Sequence, residues 1–230
     1  MTGYTQTPRV ARGAFAVYFS SNADGTEDSS QSPTIVSFQY NPETIRRTVA
    51  LKGPDDKGGK GAKIAGRRIQ GFPDETITLA IELDATDAIA AADATALEYG
   101  LGPVLATLEL LAHPPRTWEQ DVRKQADAGK VAVKPSSAPL TLLVWGEARV
   151  APVLLTNLAI TEEAFDPKLN PILAKAEVTL RVLTTLELAD SMLGVRAYGA
   201  YADKKWNLAD KLKSADAAAR SGAQKATSGG

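Results

Sequence analysis

The sequence predicts a mainly β fold, all-β or α+β: an antiparallel β-barrel or sandwich with one embedded helix and a helical C-terminal tail. Apolar and polar residues alternate strictly over residues 76–83, which is the period of a half-buried strand. The same alternation recurs over residues 154–160 and 172–182, on either side of a turn, and predicts a long hairpin. Only the stretch that begins at Pro103 carries apolar residues at helical spacing inside this β-rich region.

The first two strands are predicted at residues 14–19 and 34–40, which are rich in β-branched and aromatic side chains. The second strand ends at a turn signal, Asn41-Pro42. The polar stretch 20–32 and the Gly- and Lys-rich stretch 51–68 predict mobile loops.

In the middle of the chain, the strand at 76–83 is expected to bury one face, formed by Ile77, Leu79, Ile81 and Leu83. A helix-favouring, Ala-rich stretch follows at 86–97, and then the embedded helix that starts at Pro103 and ends at His113. Residues 114–138 are polar and lack an apolar period, so they are predicted to be a third mobile loop with Trp118 as its only large anchor.

The C-terminal half supplies a strand at 140–145, the long hairpin and the tail. One buried face is predicted for each hairpin strand: Leu154, Thr156, Leu158 and Ile160 in the first, and Ile172, Ala174, Ala176, Val178, Leu180 and Val182 in the second. From Ser191 the pattern becomes helical, and residues 217–230 are small and polar. We therefore expect an N-terminal arm at 1–13, a β domain at 14–190, and a helical tail at 191–230 with a disordered end.

Composition excludes several classes of function. The chain has no cysteine, so thiolate chemistry, disulfides and Cys-based zinc sites are excluded. Its 26 basic and 27 acidic residues nearly cancel, which gives no field to attract nucleic acid or an anionic membrane. A polar N-terminus and the lack of a membrane-length apolar run predict a cytoplasmic protein without a membrane partner.

No motif for catalysis, metal binding or a cofactor stands out. The single histidine, His113, has no Cys or acidic cluster beside it in the sequence. The Gly58-Gly59-Lys60-Gly61 run fails the phosphate-loop pattern, because Ser or Thr does not follow the lysine. Asp84 and Asp87 fit helix capping. We expect a protein that is not an enzyme and that holds no cofactor.

Two segments are candidates for contacts between subunits. The Gly- and Lys-rich loop is either a solvated loop or one that orders against a neighbour through its basic side chains, Lys60, Lys63, Arg67 and Arg68. The tail carries an aromatic and apolar stripe, Tyr198, Tyr201, Trp206 and Leu208, that suits a partner or the domain's own surface.

Three motifs in fixed order carry a family resemblance. They are a strand that enters a turn (Phe38, Asn41, Pro42, Glu43), a strand that ends in Trp145-Gly146, and a hairpin turn with Phe165-Asp166 before it and Pro171 after it. The order and spacing resemble the contractile injection system tube-protein family of phage-tail-like particles. The turn over residues 166–171 is built differently from the family pattern but is still able to close a hairpin.

The resemblance implies a structural role at the baseplate end of the inner tube, in a ring that is hexameric by analogy. Its implied partners are copies of itself and the tube, hub or spike, and baseplate wedge proteins, in a particle assembled in the cytoplasm and released on lysis. The motif positions are expected to shape strands and turns. Family members often carry a LysM module, but the residues after 185 do not resemble one, so glycan binding is not expected.

Two other functions remain open from the sequence. One is a tube or tube-cap subunit of the same machine. The other is a monomeric β-barrel that binds a small ligand, which predicts an apolar pocket.

Overall fold

A computed structural model describes residues 11–19, 32–52, 69, 71–129 and 135–212. The strands are β1 (Ala14–Tyr18), β2 (Thr34–Ser37), β3 (Ile45–Ala50), β4 (Asp74–Asp84), β5 (Leu140–Val144), β6 (Val150–Phe165) and β7 (Pro171–Val182). They form one sheet in the order β2-β1-β5-β6-β7-β4-β3, and every neighbouring pair is antiparallel.

Within the described residues, five helices accompany the sheet. Four lie between β4 and β5 in the chain: α1 (Thr86–Ala90), α2 (Ala94–Tyr99), α3 (Gly102–Leu110) and α4 (Arg116–Asp127). The fifth, α5 (Met192–Leu212), follows β7. The mainly β, α+β class and the C-terminal helix are therefore confirmed.

The sheet is not a closed barrel, and the prediction of a barrel or sandwich was wrong on this point. The strands form one sheet, with β2 and β3 at its two ends. Alternation of apolar residues shows which side of a strand is buried, but it does not show which edges pair. The open sheet leaves two edge strands whose outer backbone groups have no strand partner in the described part of the chain.

The main core lies on one face of the sheet. The predicted inward residues of β4 and of β7 from Ala174 onward are buried there, as is Phe15 of β1. Leu105, Leu108 and Leu111 cover this face, as their helical spacing predicted, and Val104 packs against it, whereas Ala112 of the predicted set is exposed. Leu101, which precedes the predicted helix, is buried with them.

The face of β6 was predicted only in part. A β-bulge between Leu155 and Asn157 inserts an extra residue against β7. Before the bulge, Leu155 is buried and Leu154 is not, whereas after it Leu158 and Ile160 pack against the core. The strict period of two therefore assigned Leu154 and Thr156 to the wrong face.

A second, smaller core lies where α5 covers the opposite face of the sheet. Ala16, Leu140, Leu142 and Leu188 are buried there, and Leu193, Val195 and Tyr198 of α5 pack against them. Since Leu143 belongs to the main core and Leu140 and Leu142 belong to this second core, β5 is buried along nearly its whole length.

Two further predictions need correction. The embedded helix, α3, is one of four helices that the structure describes between β4 and β5. The mobile loop predicted at 114–138 contains one of them, α4. Helix α4 buries none of its residues, and its apolar side chains form only a sparse stripe, Trp118, Val122 and Ala126, among polar ones, which the sequence analysis overlooked. The edge strand β3 was missed because none of its residues is buried.

Candidate assembly surface

The strand-to-turn motif around Phe38 is held by an aromatic cluster. Phe38 is fully buried and its ring meets Phe15 edge-on at 5.1 Å and Trp145 at 6.3 Å between centroids. The Phe38 amide donates to the Gly13 carbonyl at 2.8 Å. A Cβ on Gly13 would lie 2.6 Å from both the Phe38 and Trp145 rings, so only glycine fits this close approach.

The Asn-Pro-Glu turn that follows is tied to the start of β1. Asn41 Oδ1 accepts from the Gly13 amide at 2.8 Å, and its Nδ2 donates to the Ala11 carbonyl at 2.9 Å. Pro42 and Glu43 line a shallow cavity beside Lys175. The asparagine therefore orients the chain at this turn through hydrogen bonds, while the next two residues face an open surface.

The Trp-Gly motif ends β5 with a tight turn. The Trp145 amide donates to the Arg149 carbonyl at 2.7 Å, and Gly146 adopts a positive φ of 65°. Glycine populates this left-handed region without the steric cost that a side chain carries. The motif thus fixes the connection from β5 to β6.

The turn between β6 and β7 is organised by one carboxylate. Asp166 Oδ1 accepts from the amides of Lys168 at 2.7 Å and Asn170 at 2.8 Å, and Oδ2 accepts from the Asn170 side chain at 2.8 Å. The hydrogen bonds from Asn170 lower the pKa of Asp166. Phe165 and Pro171 flank the turn as the last and first paired residues of the two strands.

The same turn is attached to the helical insertion. Asn170 Nδ2 donates to the Glu98 carbonyl at 3.0 Å, and the Leu101 amide donates to the Pro171 carbonyl at 2.8 Å. Gly100 has a positive φ of 56° between them, and a Cβ there would lie 2.3 Å from the Pro171 oxygen. The hairpin end is therefore a fixed part of the surface.

Helix α5 is anchored by a buried carboxylate. Glu75, at the start of β4, is 5% exposed and accepts from the Tyr201 hydroxyl and from Lys205 Nζ, each at 2.6 Å. Lys205 Nζ also lies 4.1 Å from the centre of the Tyr201 ring. Arg47 of the edge strand β3 approaches the same carboxylate at 3.8 Å.

The pKa values of the two anchoring groups reflect this environment. Burial, together with the hydrogen bond to Glu75, raises the pKa of the Tyr201 hydroxyl. Burial lowers the pKa of Lys205, but its hydrogen bonds to Glu75 and Tyr201 outweigh this effect and the net shift is upward. Both shifts favour the state in which tyrosine and lysine keep their protons.

The predicted tail contacts separate into two groups. Tyr198 packs edge-on against Phe72 at 5.7 Å, and Tyr201 is only 4% exposed, so both serve the chain's own packing. Tyr201 therefore offers little surface to a neighbouring subunit, and its role as a subunit contact stays a prediction. Trp206 and Leu208 lie beyond the anchor and are exposed, with Trp206 at 73%.

Several sequence predictions fall outside the described residues. These are the basic contacts Lys60, Lys63, Arg67 and Arg68, most of the loops at 20–32 and 51–68, most of the N-terminal arm, and the end of the tail from residue 213. His113 lies at the rim of an open cavity. Within the part of the chain that the structure covers, no group of three His, Cys, Asp or Glu is placed to hold a metal ion.

Sequence reasoning missed Glu75 as a structural residue. It occupies the same alternating face of β4 as Ile77, and a carboxylate at such a position is a signal for a buried partner. The partner could not be found from the sequence, because Tyr201 and Lys205 lie 126 and 130 residues away.

The exposed features suit contacts with other proteins. Edge strands β2 and β3 present Ile35 and Val49 to solvent. Among the helices that the structure describes, none is long and apolar enough to cross a membrane.

Comparison with known proteins places the chain in a family. The family model described as contractile injection system tube protein matches residues 17–189. No curated protein matches the chain. The chain therefore belongs to the contractile injection system tube protein family, whose structural members assemble with copies of themselves and with other components of the particle.

Proposed function

We propose that this protein is a baseplate adaptor, which forms a hexameric ring and joins the inner tube to the baseplate hub of a phage-tail-like particle. The observation that carries the proposal is the division of α5 into an anchored part and an exposed part. Up to Lys205 the helix is fixed to the sheet through Glu75, and beyond it Trp206, Leu208 and Leu212 face solvent.

An adaptor differs from a tube subunit in the number of surfaces that it needs. A subunit of a uniform tube contacts only copies of itself, whereas an adaptor must also bind a different protein. The two ends of the open sheet offer edges for a head-to-tail ring. The exposed end of α5 offers apolar side chains for another protein: Leu208 and Leu212 continue the side of the helix that carries Tyr201, and Trp206 lies on the opposite side.

The proposed partners of the adaptor are copies of itself in the ring, the tube, the hub or spike, and the wedge proteins of the baseplate. Assembly is proposed in the cytoplasm, with release of the particle on lysis. The near-neutral charge of the chain permits close packing of identical subunits without strong repulsion.

The decisive experiment is to purify the tagged chain from its native cell, and then to count its copies per particle by mass spectrometry and electron microscopy. An adaptor predicts a fixed number of copies whatever the tube length. A number that rises with tube length would instead assign the chain to the tube, which is the second function that the family match supports. A chain without sheath or tube proteins beside it would overturn both.

A matched pair of variants tests the role of α5. Trp206 and Met192 are equally exposed, at 73% and 74%, near opposite ends of the helix. Trp206→Ala should reduce the share of particles that contain the chain by about ten-fold or more, because exposed tryptophans at interfaces are frequent hot spots. Met192→Ala should leave that share unchanged. Equal incorporation of the two variants would contradict the role of the helix end.

A further inference from the structure

Helix α5 spans the distance from β5 to β4. Near its start, a Cβ on Gly194 would lie 3.3 Å from the Leu140 side chain of β5. Farther along, Tyr201 and Lys205 bind Glu75 of β4. From Gly194 the helix axis advances about 10 Å to Tyr201 and about 16 Å to Lys205. The distance from β5 to β4 across the sheet, three strand spacings or about 14 Å, lies between these two lengths.

The two contacts also lie at nearly the same height along the strands. In the ladder, Thr141, which follows Leu140, pairs with Val153 of β6, and Val153 pairs with Val182 of β7. The residue before Val182 pairs with the residue after Glu75. The helix therefore crosses the direction of the strands nearly at a right angle, and its axis points from β4 toward the edge strand β3.

The last part of α5 extends past this edge of the sheet. From Lys205 to the end of the helix at Leu212 the axis advances about 10 Å, whereas β3 lies only about 5 Å beyond β4. The end of the helix therefore reaches the place that a further strand beside β3 would occupy. All residues from 206 to 212 are exposed, as expected for a helix end with no strand beside it.

Two leucines of the helix end point toward the place of that further strand. At about 100° per residue, Leu208 and Leu212 lie within about 20° of Tyr201 around the helix. Tyr201 is the residue whose hydroxyl meets Glu75 in the sheet. An apolar stripe on the sheet side of a helix is normally buried, but Leu208 is 50% exposed and Leu212 is 74% exposed. The sheet ends before it reaches them.

The edge strand β3 is open to pairing. It buries none of its residues, and its outer backbone groups have no strand partner in the described part of the chain. It pairs with β4 without a bulge and contains no proline, so two of the features that ordinarily protect an edge are missing. A strand from another chain could therefore add to the sheet at β3 through backbone hydrogen bonds.

The opposite edge of the same sheet supplies a strand that fits. Among the strands that the structure describes, β2 is the other edge, and it carries no charge. β3 carries Arg46 and Arg47, so two β3 strands side by side would bring the arginines of both copies together, which opposes a symmetric pair. Because the sheet has seven strands and every neighbouring pair is antiparallel, β2 and β3 run in the same direction. A copy added head-to-tail thus continues the sheet with its β2 parallel to β3.

We propose that β3 of one copy pairs in parallel with β2 of the next copy, and that the end of α5 covers this junction through Leu208 and Leu212. The inference rests on the proposed ring, and it specifies the contact that repeats around it. It assigns the leucine side of the helix end to the neighbouring copy. Trp206, on the opposite side, is left for a different component of the particle.

Cross-linking tests the junction, because the chain has no cysteine of its own. Thr48 of β3 and Ile35 of β2 lie on the same face of the sheet, and within one copy six strand spacings, about 29 Å, separate their strands. Thr48→Cys with Ile35→Cys is expressed in the native cell, and purified particles are treated with a short bismaleimide reagent. We expect a ladder of multimers of this chain on a denaturing gel. The control, Thr48→Cys with Leu169→Cys, should give none.

Two results of this experiment would overturn the junction. One is the presence of the double variant in particles that give no ladder. The other is a cross-linked dimer from Thr48→Cys alone, which would show that two β3 strands meet in a symmetric pair.

The covering role of α5 is tested in the same double-cysteine background. Leu208→Ser should lower the yield of multimers per incorporated chain about ten-fold, because an apolar side chain would no longer be buried at the junction. Met192→Ser changes an exposed apolar residue at the other end of the helix and should leave the yield unchanged. Equal yields from the two variants would refute the role of the helix end.

Amide hydrogen exchange keeps the test decisive if the cysteines prevent incorporation. In wild-type particles, the outer amides of residues 34–37 and 45–50 should exchange at least about ten-fold more slowly than in the free chain, because each gains a hydrogen-bond partner in the junction. Equal exchange rates for these two strands in particles and in the free chain would overturn the inference.

The outcome of these tests is separable from that of the proposed function. A ladder in particles whose copy number rises with tube length would support the junction and refute the adaptor role. A fixed copy number without a ladder would leave the adaptor role standing and refute the junction. Absence of the wild-type chain from particles would end both.

Discussion

The hydroxyl of Tyr201 is predicted to anchor α5 to the sheet. In the wild type it donates to Glu75 at 2.6 Å, in a site where the carboxylate is only 5% exposed. Tyr201→Phe removes this donor and keeps the ring. Glu75 then depends on Lys205 as its remaining close partner.

The magnitude follows from the charge on the acceptor. Hydrogen bonds to charged groups contribute about 1.5–3 kcal/mol to stability, more than neutral ones, because a buried carboxylate cannot recover its lost partner from water. We take about 2 kcal/mol for Tyr201→Phe, since Lys205 still compensates part of the charge. For a protein of this size, that change lowers the melting temperature by roughly 4–8 °C.

The assay is thermal unfolding at pH 7, followed by circular dichroism. The control is Tyr198→Phe, which removes a hydroxyl from the preceding turn of α5, where no hydrogen bond of that hydroxyl is seen among the described residues. Amide hydrogen exchange in α5 should become faster in Tyr201→Phe and not in the control. Equal melting temperatures for the two variants would refute the reasoning, because the short contact with Glu75 would then contribute no stability.

Three further predictions concern packing and pH. Gly13→Ala should cost about 1–3 kcal/mol in urea unfolding, because its new methyl group would meet the ring of Phe38 at 2.6 Å; an unchanged midpoint would contradict this. Gly199 lies on α5 with open space around it, so Gly199→Ala should raise the free energy of unfolding by about 0.5–1 kcal/mol in the same assay. A lower free energy of unfolding would contradict this prediction. Burial raises the pKa of Glu187, but hydrogen bonds from Arg181 and the backbone outweigh it, so the pKa lies below 4.5. A lowered carboxyl pKa gives stability that is present above pH 4.5 and lost as the pH falls through the folded value, so Glu187→Gln should lose less stability than the wild type between pH 7 and pH 3.

Most of the β architecture could be predicted because it follows from alternation. Six of the strands lie where the sequence placed them, and β4 and β7 bury the predicted faces. Alternation failed where the pairing itself was irregular, as at the bulge beside Leu155. It also failed for β3, which is a strand because β4 pairs with it and not because it buries a face.

The helical insertion was harder to predict for a related reason. Helix α3 was found through its buried leucines, whereas α4 buries no residue and carries only a sparse apolar stripe, Trp118, Val122 and Ala126. The Ala-rich stretch at 86–97 was expected to favour helix, and it forms two short helices, α1 and α2, with the Asp93 side chain capping the second. A dense apolar stripe identifies a packed helix, whereas a sparse stripe on a mostly polar helix is easily overlooked.

The candidate contacts on α5 also show how far apolar spacing can be interpreted from the sequence. The stripe of Tyr198, Tyr201, Trp206 and Leu208 indicated that the helix packs on something, but not on what. The structure gives the first two to the chain's own core and leaves the last two exposed. The division depends on Glu75, a residue that lies far away in sequence and whose position in β4 determines how far along α5 the sheet can hold the helix.

Glu75, Trp206 and Leu169 depart from the ordinary patterns of sequence and structure, and contacts among the described residues account for the first of them. Glu75 is a carboxylate on an apolar strand face, and Tyr201 and Lys205 satisfy it. Trp206 and Leu169 are large apolar side chains in solvent, and Leu169 also bears a strained backbone. Departures from local rules are expected where a protein serves a function beyond its own folding. No described residue covers either side chain, and a contact in the assembly to which the family belongs would account for the exposure of both.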